Sequence, residues 1–560
     1  MALWDQGTDT LHITSTGARR PDFWPADRPW DYHIPNRTMD ANLELSAARH
    51  GSRTAVIHQG ARLSFAALWD RVRALAGYLQ HAGVARGDPV LLFMQNSPHY
   101  IIGFYAILRA GGAVVPVNPM NRAAEIDYLV ADTGARVAIC GLELADHILP
   151  ALERGDLHHL IGARYGDMAD PDFDLPVPGA LPTRSDSKAA SLGITGFAAA
   201  LAAGHTPAPR STTIDDLCVI PYSSGTTGQP KGCVHTHRSV MCALVSTIRW
   251  NPVDADTVHL GALPFFHVTG MMNAMHAPIA TGGTLVILPR WSSGLAAALI
   301  ARYRVTRWRS IATMVIDLVN DPDFDSYDLS SLAAIGGGGA AMPEAIAARL
   351  KTMLGLDYLE GYGLSETMAG THLNPVDAPR PQCLGQPIHA VDSRILDPET
   401  DAELPHGEVG EIVTHAPQNF TGYWQRPADS AAAFVTLDGL AFLRTGDIGY
   451  RDDQGYFYMV DRVKRMVNVS GFKVWPAEIE MLMLHHPDIA EACVIGATDP
   501  RRGEVVKAVI VPRPGTRPDA RAIIAWCRGE MAAYKCPSIV EFTKALPKSG
   551  AGKVLWKDLT

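Results

Sequence analysis

Apolar residues recur at helical spacing over Leu63–His81, and an apolar run, Pro89–Met94, follows at once. The chain then predicts a helix around His99–Ala110, a strand at Ala113–Val117, a helix from Asn121 to Asp132 and a strand at Arg136–Cys140. Period 3.6 alternating with short apolar runs is the pattern of βαβ units, so an α/β fold follows, its mainly parallel sheet covered by helices. The rhythm resumes at Leu217–Pro221 and continues through Val258–Pro264, Thr284–Pro289, Thr306–Ala312 and Leu332–Gly336. Helices are predicted between them at Gly294–Tyr303 and Pro343–Leu354. Pro176–Pro209, rich in Pro, Ala, Gly and Ser, reads as a surface connection.

Beyond Gly422 the segments shorten. Asp453-Gln454-Gly455 between apolar runs predicts a hairpin turn. A separate unit follows, with a helix begun by Trp475-Pro476-Ala477-Glu478, a strand at Val505–Val511 and a helix at Asp519–Met531. The expected organisation is a large N-terminal body over 1–463 and a small mobile α+β domain over 464–560. No internal repeat is visible.

Composition narrows the function classes. A formal charge of −9 without like-charge runs gives no general footprint for nucleic acid. No stretch approaches the ~20 apolar residues of a membrane span, and the N-terminus lacks the apolar core of a signal peptide. The eight cysteines are scattered without CxxC pairing, which suits small buried residues in a reducing compartment. A soluble cytoplasmic protein is expected, with a homodimer left open.

The segment carrying most chemistry is Ile220-Pro-Tyr-Ser-Ser-Gly-Thr-Thr-Gly-Gln-Pro-Lys-Gly232. An apolar strand enters a loop rich in glycine and hydroxyls, with one lysine, and a helix begins near His237. Such a loop can wrap backbone N–H groups around a polyphosphate. Its spacing is not GxxxxGK[ST], so a P-loop nucleotidase is disfavoured.

This string resembles the phosphate-binding signature of the adenylate-forming superfamily: acyl- and aryl-CoA synthetases, peptide-synthetase adenylation domains and beetle luciferases. Six further segments appear in the family's order. They are Leu263-Pro-Phe-Phe-His-Val-Thr-Gly270, Gly336–Ala340, Tyr358–Thr367, Arg444-Thr-Gly-Asp447, Val460–Glu480 and Leu546–Lys553. Overall the chain looks most like bacterial medium- and long-chain fatty-acyl-CoA ligases. The resemblance implies a magnesium- and ATP-dependent ligase that makes an acyl-adenylate and transfers the acyl group to coenzyme A.

It also implies roles for particular residues. Ser223, Ser224, Gly225, Thr226, Thr227, Gly228 and Lys231 would cradle the phosphates, with Glu366 and Thr227 on Mg²⁺. Ser365, where the family usually has threonine, would contact the α-phosphate. Gly338, Gly339 and Ala340 match the adenine shelf, and Glu360, Gly361, Tyr362 and Gly363 complete the nucleotide segment, with Tyr362 stacking on the base. Asp447 and Arg462 would hold the ribose. Lys553 would bridge the acid's carboxylate and the phosphate, although Trp556 stands where the family commonly has arginine. Lys464 matches the family's hinge; rotation there would withdraw Lys553 and bring Ser470 and Gly471 to the site for pantetheine. Lys473 and Lys535 are candidate contacts to CoA phosphates.

The acid pocket should draw on His267, Val268, Thr269, Thr313 and the glycines from Gly336. His267 could take part in the chemistry or serve as an aromatic gate. No carboxylate stands in Phe265–Gly270 to pair with an α-amino group, so a simple acid is favoured over an amino acid. A medium- or long-chain fatty acid comes first and an aryl acid second. A ligase loading a carrier protein, an oxygenase of the luciferase kind and a non-catalytic acyl-adenylate sensor are the competing readings.

Overall fold

The computed structural model describes residues 9–13, 19–21, 23–24, 29–177, 186–223, 229–339, 341–462, 465–469, 472–499, 503–548 and 554–559. Two compact units divide the chain: Met1–Asp392 with Thr414–Leu443, and Ser393–Val413 with Arg444–Thr560.

The first unit is built on two large sheets. A seven-stranded sheet runs in the order His235–Thr236, Leu217–Val219, Ala113–Val117, Pro89–Phe93, Val137–Gly141, His159–Ala163, Ile194–Gly196, parallel except at its first pair. The nine-stranded sheet carries the candidate site. It contains β1 (Val258–Gly261), β2 (Thr284–Ile287), β3 (Arg307–Ser310), β4 (Ala334–Gly338) and β5 (Tyr358–Leu364). Across the sheet the order is β5-β4-β3-β1-β2, all parallel, and Thr54–His58 adds a further parallel strand beside β2.

Helices Phe65–His81, Pro98–Ala110 and His237–Trp250 share one apolar core with both sheets, in which Val72, Phe104 and Val245 join Leu92 of one sheet and Leu285 of the other. The opposite face of the nine-stranded sheet packs Leu260, Trp308 and Ile335 against helices Ser293–Tyr303, Ala312–Val319 and Glu344–Leu354. Parallel strands covered on both faces must be apolar throughout, which is why these runs read as near-continuous rather than alternating. The expected α/β class is met.

Two local expectations change. The helix predicted from Leu63 begins at Phe65, because Leu63 lies on the strand Ala61–Ser64 and the Ser64 hydroxyl caps the helix by accepting from Ala67 N–H. Pro176–Pro209 is not only a connection: Ile194–Gly196 is the edge strand of the seven-stranded sheet, and Phe197 is buried edge-on to His99 at 4.9 Å. Two anchors in a field of small residues supply that burial, too few to produce a periodic signal.

The second unit has its own core. Strands Ile489–Asp499 and Gly503–Pro512 form a long antiparallel pair, and Ile539–Phe542 runs parallel to the latter. Helices Pro476–Met483 and Ala520–Glu530 bury Ile479, Met483, Ile523 and Cys527 on it. The hairpin at Asp453–Gly455 joins Leu440–Arg451 to Phe457–Arg462 as expected. All eight cysteines are buried and none is in a disulfide, and no described helix is long and apolar enough to cross a membrane.

His58, His99, His235, His237, His259, His276 and His372 are all buried in the first unit, and burial holds each far below the ordinary histidine range, at about 3 to about 4. Unfolding frees them to titrate near pH ~6.5, so the unfolded chain binds more protons in the window below that value. Stability should be full above about pH 6.5 and fall steadily as the pH drops toward the folded-state values. Urea midpoints measured between pH 8 and pH 4.5 check this; a flat profile across that span would contradict it.

Candidate active site

The first-unit residues expected at the site gather where parallel strands end, the position at which open α/β sheets bind ligands. β1 leads into His267, Val268 and Thr269; β3 leads into Thr313; β4 ends at Gly338; β5 carries Glu360–Gly363 and leads into Ser365 and Glu366. Ser224–Gly228 and Ala340 lie outside the described residues, but the flanks of the glycine-rich loop are fixed. Tyr222–Ser223 pairs antiparallel with Lys231–Gly232, and Tyr222 donates a 2.6 Å hydrogen bond to Asp132. Lys231 forms an ion pair with Asp429 at 2.9 Å, its ammonium 5.2 Å from the centre of the Tyr423 ring.

Glu366 is half-buried. Its Oε1 accepts from the Tyr423 hydroxyl at 3.0 Å and its main-chain carbonyl from Phe420 N–H at 2.8 Å. Ser365 is held through its carbonyl, 2.7 Å from His235 Nε2. Tyr362 is half-buried with its ring braced edge-on by His372, centroids 5.6 Å apart.

The side chain of Glu360 is turned to the chain's own backbone. It is 5% exposed, and its two oxygens accept from Met342 N–H at 2.6 Å and Cys383 N–H at 2.8 Å. Burial raises its carboxyl above the usual carboxylate range, while those N–H bonds pull it back down. It is thus a buried peg that ties the segment after β4 to the segment around Cys383.

The glycines are needed for close approach. A Cβ on Gly363 would stand 1.7 Å from the Ala369 carbonyl oxygen, and one on Gly337 1.8 Å from that of Ser310. His267 and Thr313 are exposed, Val268 is buried and Thr269 half-buried. After them the helix widens into a π-helical stretch, Met271–His276, a distortion common at functional sites.

In the second unit Asp447 is 1% exposed and pairs with Arg462, Nε to Oδ1 at 3.0 Å. Their strands hold the two residues opposite each other. Lys464, Ser470, Gly471 and Lys553 lie outside the described residues, as does the side chain of Lys473. Lys535 bonds Glu478 at 2.5 Å. Lys548 and Val554, flanking the lysine segment, meet in an antiparallel bridge. Trp556, in place of arginine, packs against the apolar cluster of Cys493, Ile495, Val509 and Leu546, so packing anchors this end of the chain.

Tyr423 and Asp429 were not foreseen from the sequence. Each acts on a predicted residue from about 60 to 200 positions away, and Gly422-Tyr-Trp-Gln carries no periodic or charge signal.

Residues 43–424 match the AMP-binding enzyme family and residues 478–553 match its C-terminal domain. The chain belongs to this family, the adenylate-forming enzymes, and its class is that of the AMP-forming acid–thiol ligases. Among its relatives is a long-chain-fatty-acid–CoA ligase of Bacillus subtilis, 32% identical over 550 residues and covering 96% of both chains. A feruloyl-CoA synthase of an Amycolatopsis species is 34% identical over 504 residues, 90% of this chain and 94% of that one. The crystal structure of ATP-bound MatB from Rhodopseudomonas palustris superposes with a TM-score of 0.82 at 27% identity, covering 94% and 98%.

Proposed function

We propose that this chain condenses a carboxylic acid with ATP to give acyl-AMP and pyrophosphate, and then transfers the acyl group to CoA with release of AMP. The observation that carries the reading is that Tyr423 joins the flank of the glycine-rich loop to the end of β5: its ring centre lies 5.2 Å from the Lys231 ammonium and its hydroxyl 3.0 Å from Glu366, next to Ser365 and Tyr362. Bringing a carboxylate to a phosphate forces two anions together, so the protein's task is to neutralise charge and fix geometry. Lys231 and the loop hydroxyls Thr226 and Thr227 would face the outer phosphates, Tyr362 the adenine, and Asp447 with Arg462 the ribose. Lys553 would bring an ammonium to the forming bond, and the hinge at Lys464 would exchange it for Ser470 and Gly471 in the thioester step.

Glu366 fits Mg²⁺, being a half-buried hard oxygen donor with one oxygen held by Tyr423. No group of three or more His, Cys, Asp or Glu that could hold a metal occurs among the described residues, so most ligands would come from phosphate and water. When bound, the ion neutralises phosphate charge.

For the acid, an aliphatic chain is the first reading, supported by the fatty-acid ligases that align over 96% of the chain. An aryl acid is second, supported by the feruloyl-CoA synthase. The test is pyrophosphate release across straight-chain, branched, dicarboxylic and aromatic acids, with and without CoA. We expect ATP to yield AMP and pyrophosphate with at least one acid, and thioester only when CoA is present. Formation of ADP, or no turnover with any acid, would sink the proposal.

A further inference from the structure

One face of the acid-binding sheet is chemically unlike the rest of it. On β1 and β3, Leu260 and Trp308 point into the apolar layer of the Ser293–Tyr303 helix. Their neighbours His259, Arg307 and Arg309 therefore point to the other face, because side chains alternate along a strand. That face is covered by helix His237–Trp250 and the π-helical stretch, and a small recess open to solvent is left there. Asn251, His259, Asn273, Arg307 and Arg309 line it, with Thr247.

The recess adjoins the acid pocket on two sides. Arg309 lies opposite Gly336 on β4, and the place a Gly336 Cβ would occupy is 3.0 Å from Arg309 Nη1, so the guanidinium lies over the glycine strand. Asn273 is one turn beyond Thr269 and donates to its carbonyl at 3.0 Å.

Three polar side chains here lack partners among the described residues. Arg309 is 9% exposed, and among the described residues no hydrogen-bond acceptor or carboxylate pairs with it. Asn251, 3% exposed, has neither amide atom bonded, and His259 Nε2 is likewise unbonded. Arg307, by contrast, is satisfied by the Pro252 carbonyl at 2.8 Å. Arg309 keeps some access to water through the recess, and an anion arriving with a ligand would replace that water with a charge-assisted bond in a low-dielectric setting. A methyl-ended chain would bury Arg309 further and offer nothing in return.

We propose that Arg309, beside Gly336 and Asn273 at the far end of the acid pocket, selects a dicarboxylic acid by binding the carboxylate that is not activated. The inference rests on the acyl-CoA ligase reading and narrows its aliphatic acid to one with an anionic far end. Arg309 stands two residues before the Gly338 end of the neighbouring strand in register, roughly 7 Å at ~3.3 Å per residue, which favours a short diacid.

Matched mono- and dicarboxylic acids of equal carbon number, compared by pyrophosphate release, test it in wild type, Arg309→Met and Arg309→Lys. Wild type should favour the diacid by at least about 100-fold in kcat/KM, carried chiefly by KM. Arg309→Met should lose that preference while keeping turnover of the monoacid, and Arg309→Lys should keep part of it. The melting temperature of wild type, but not of Arg309→Met, should rise with added diacid. Equal or greater wild-type activity on monoacids would overturn the proposal without touching the ligase reading, whether or not the variants fold. So would a diacid preference that survives Arg309→Met. Absence of pyrophosphate release with every acid would instead fell the ligase reading itself.

Discussion

Lys553→Ala should slow pyrophosphate release from ATP and acid by about 100- to 1,000-fold, the usual effect of removing one preorganised group that meets developing charge. CoA attack on preformed acyl-adenylate should continue at close to the wild-type rate. The asymmetry follows from the charges. In the first half-reaction an anionic oxygen approaches an anionic phosphorus centre, and an ammonium between them lowers the repulsion where it peaks. In the second half-reaction a thiolate attacks a carbonyl whose leaving group is already activated, so the same ammonium has little to offset. Rapid-quench assays of the two half-reactions, run separately, decide the matter. Equal loss in both would remove Lys553 from the adenylation role.

Glu366→Gln should cut adenylation by about 100-fold and raise the Mg²⁺ concentration needed for half-maximal activity, since the amide is a near-isosteric but neutral oxygen donor. The substitution is close to silent for packing. Tyr423 donates to Oε1 at 3.0 Å and can donate equally to an amide oxygen, and the Phe420 N–H bond is to the main chain. A thermal melt near that of wild type should therefore accompany the loss. If activity and Mg²⁺ dependence both stay at wild-type levels, Glu366 does not act on the metal.

Much of the first unit was readable from the chain because short apolar strand runs alternate with helices whose ends carry capping and stop residues. Pro98–Ala110, for example, has Ser97 capping its start and Gly111 in the left-handed conformation at its end. The motif residues were readable for a related reason: a phosphate loop or a glycine shelf is a contiguous stretch whose composition betrays it. Relations across the sheet were not. That Arg309 faces Gly336 depends on strand register between β3 and β4, and nothing local to Arg307–Ser310 announces which neighbour will lie alongside. Glu360 shows another relation hidden from the sequence. Its motif suggested contact with nucleotide, yet its carboxylate is taken up by Met342 and Cys383 N–H groups, because a buried loop must satisfy its own backbone first.

A Cβ on Gly336 would stand 2.4 Å from the Leu359 carbonyl oxygen and 2.9 Å from the Leu359 Cβ, besides meeting the Arg309 guanidinium. That part of the strand is bare main chain and cannot be reshaped one methyl at a time. If Arg309 selects the acid as proposed, selection of other acids would work from the helical wall, at positions such as Thr269 and Asn273, or by exchanging the cation outright. Changes of the first sort would alter the girth of the accepted molecule, and a change of the second sort its polarity.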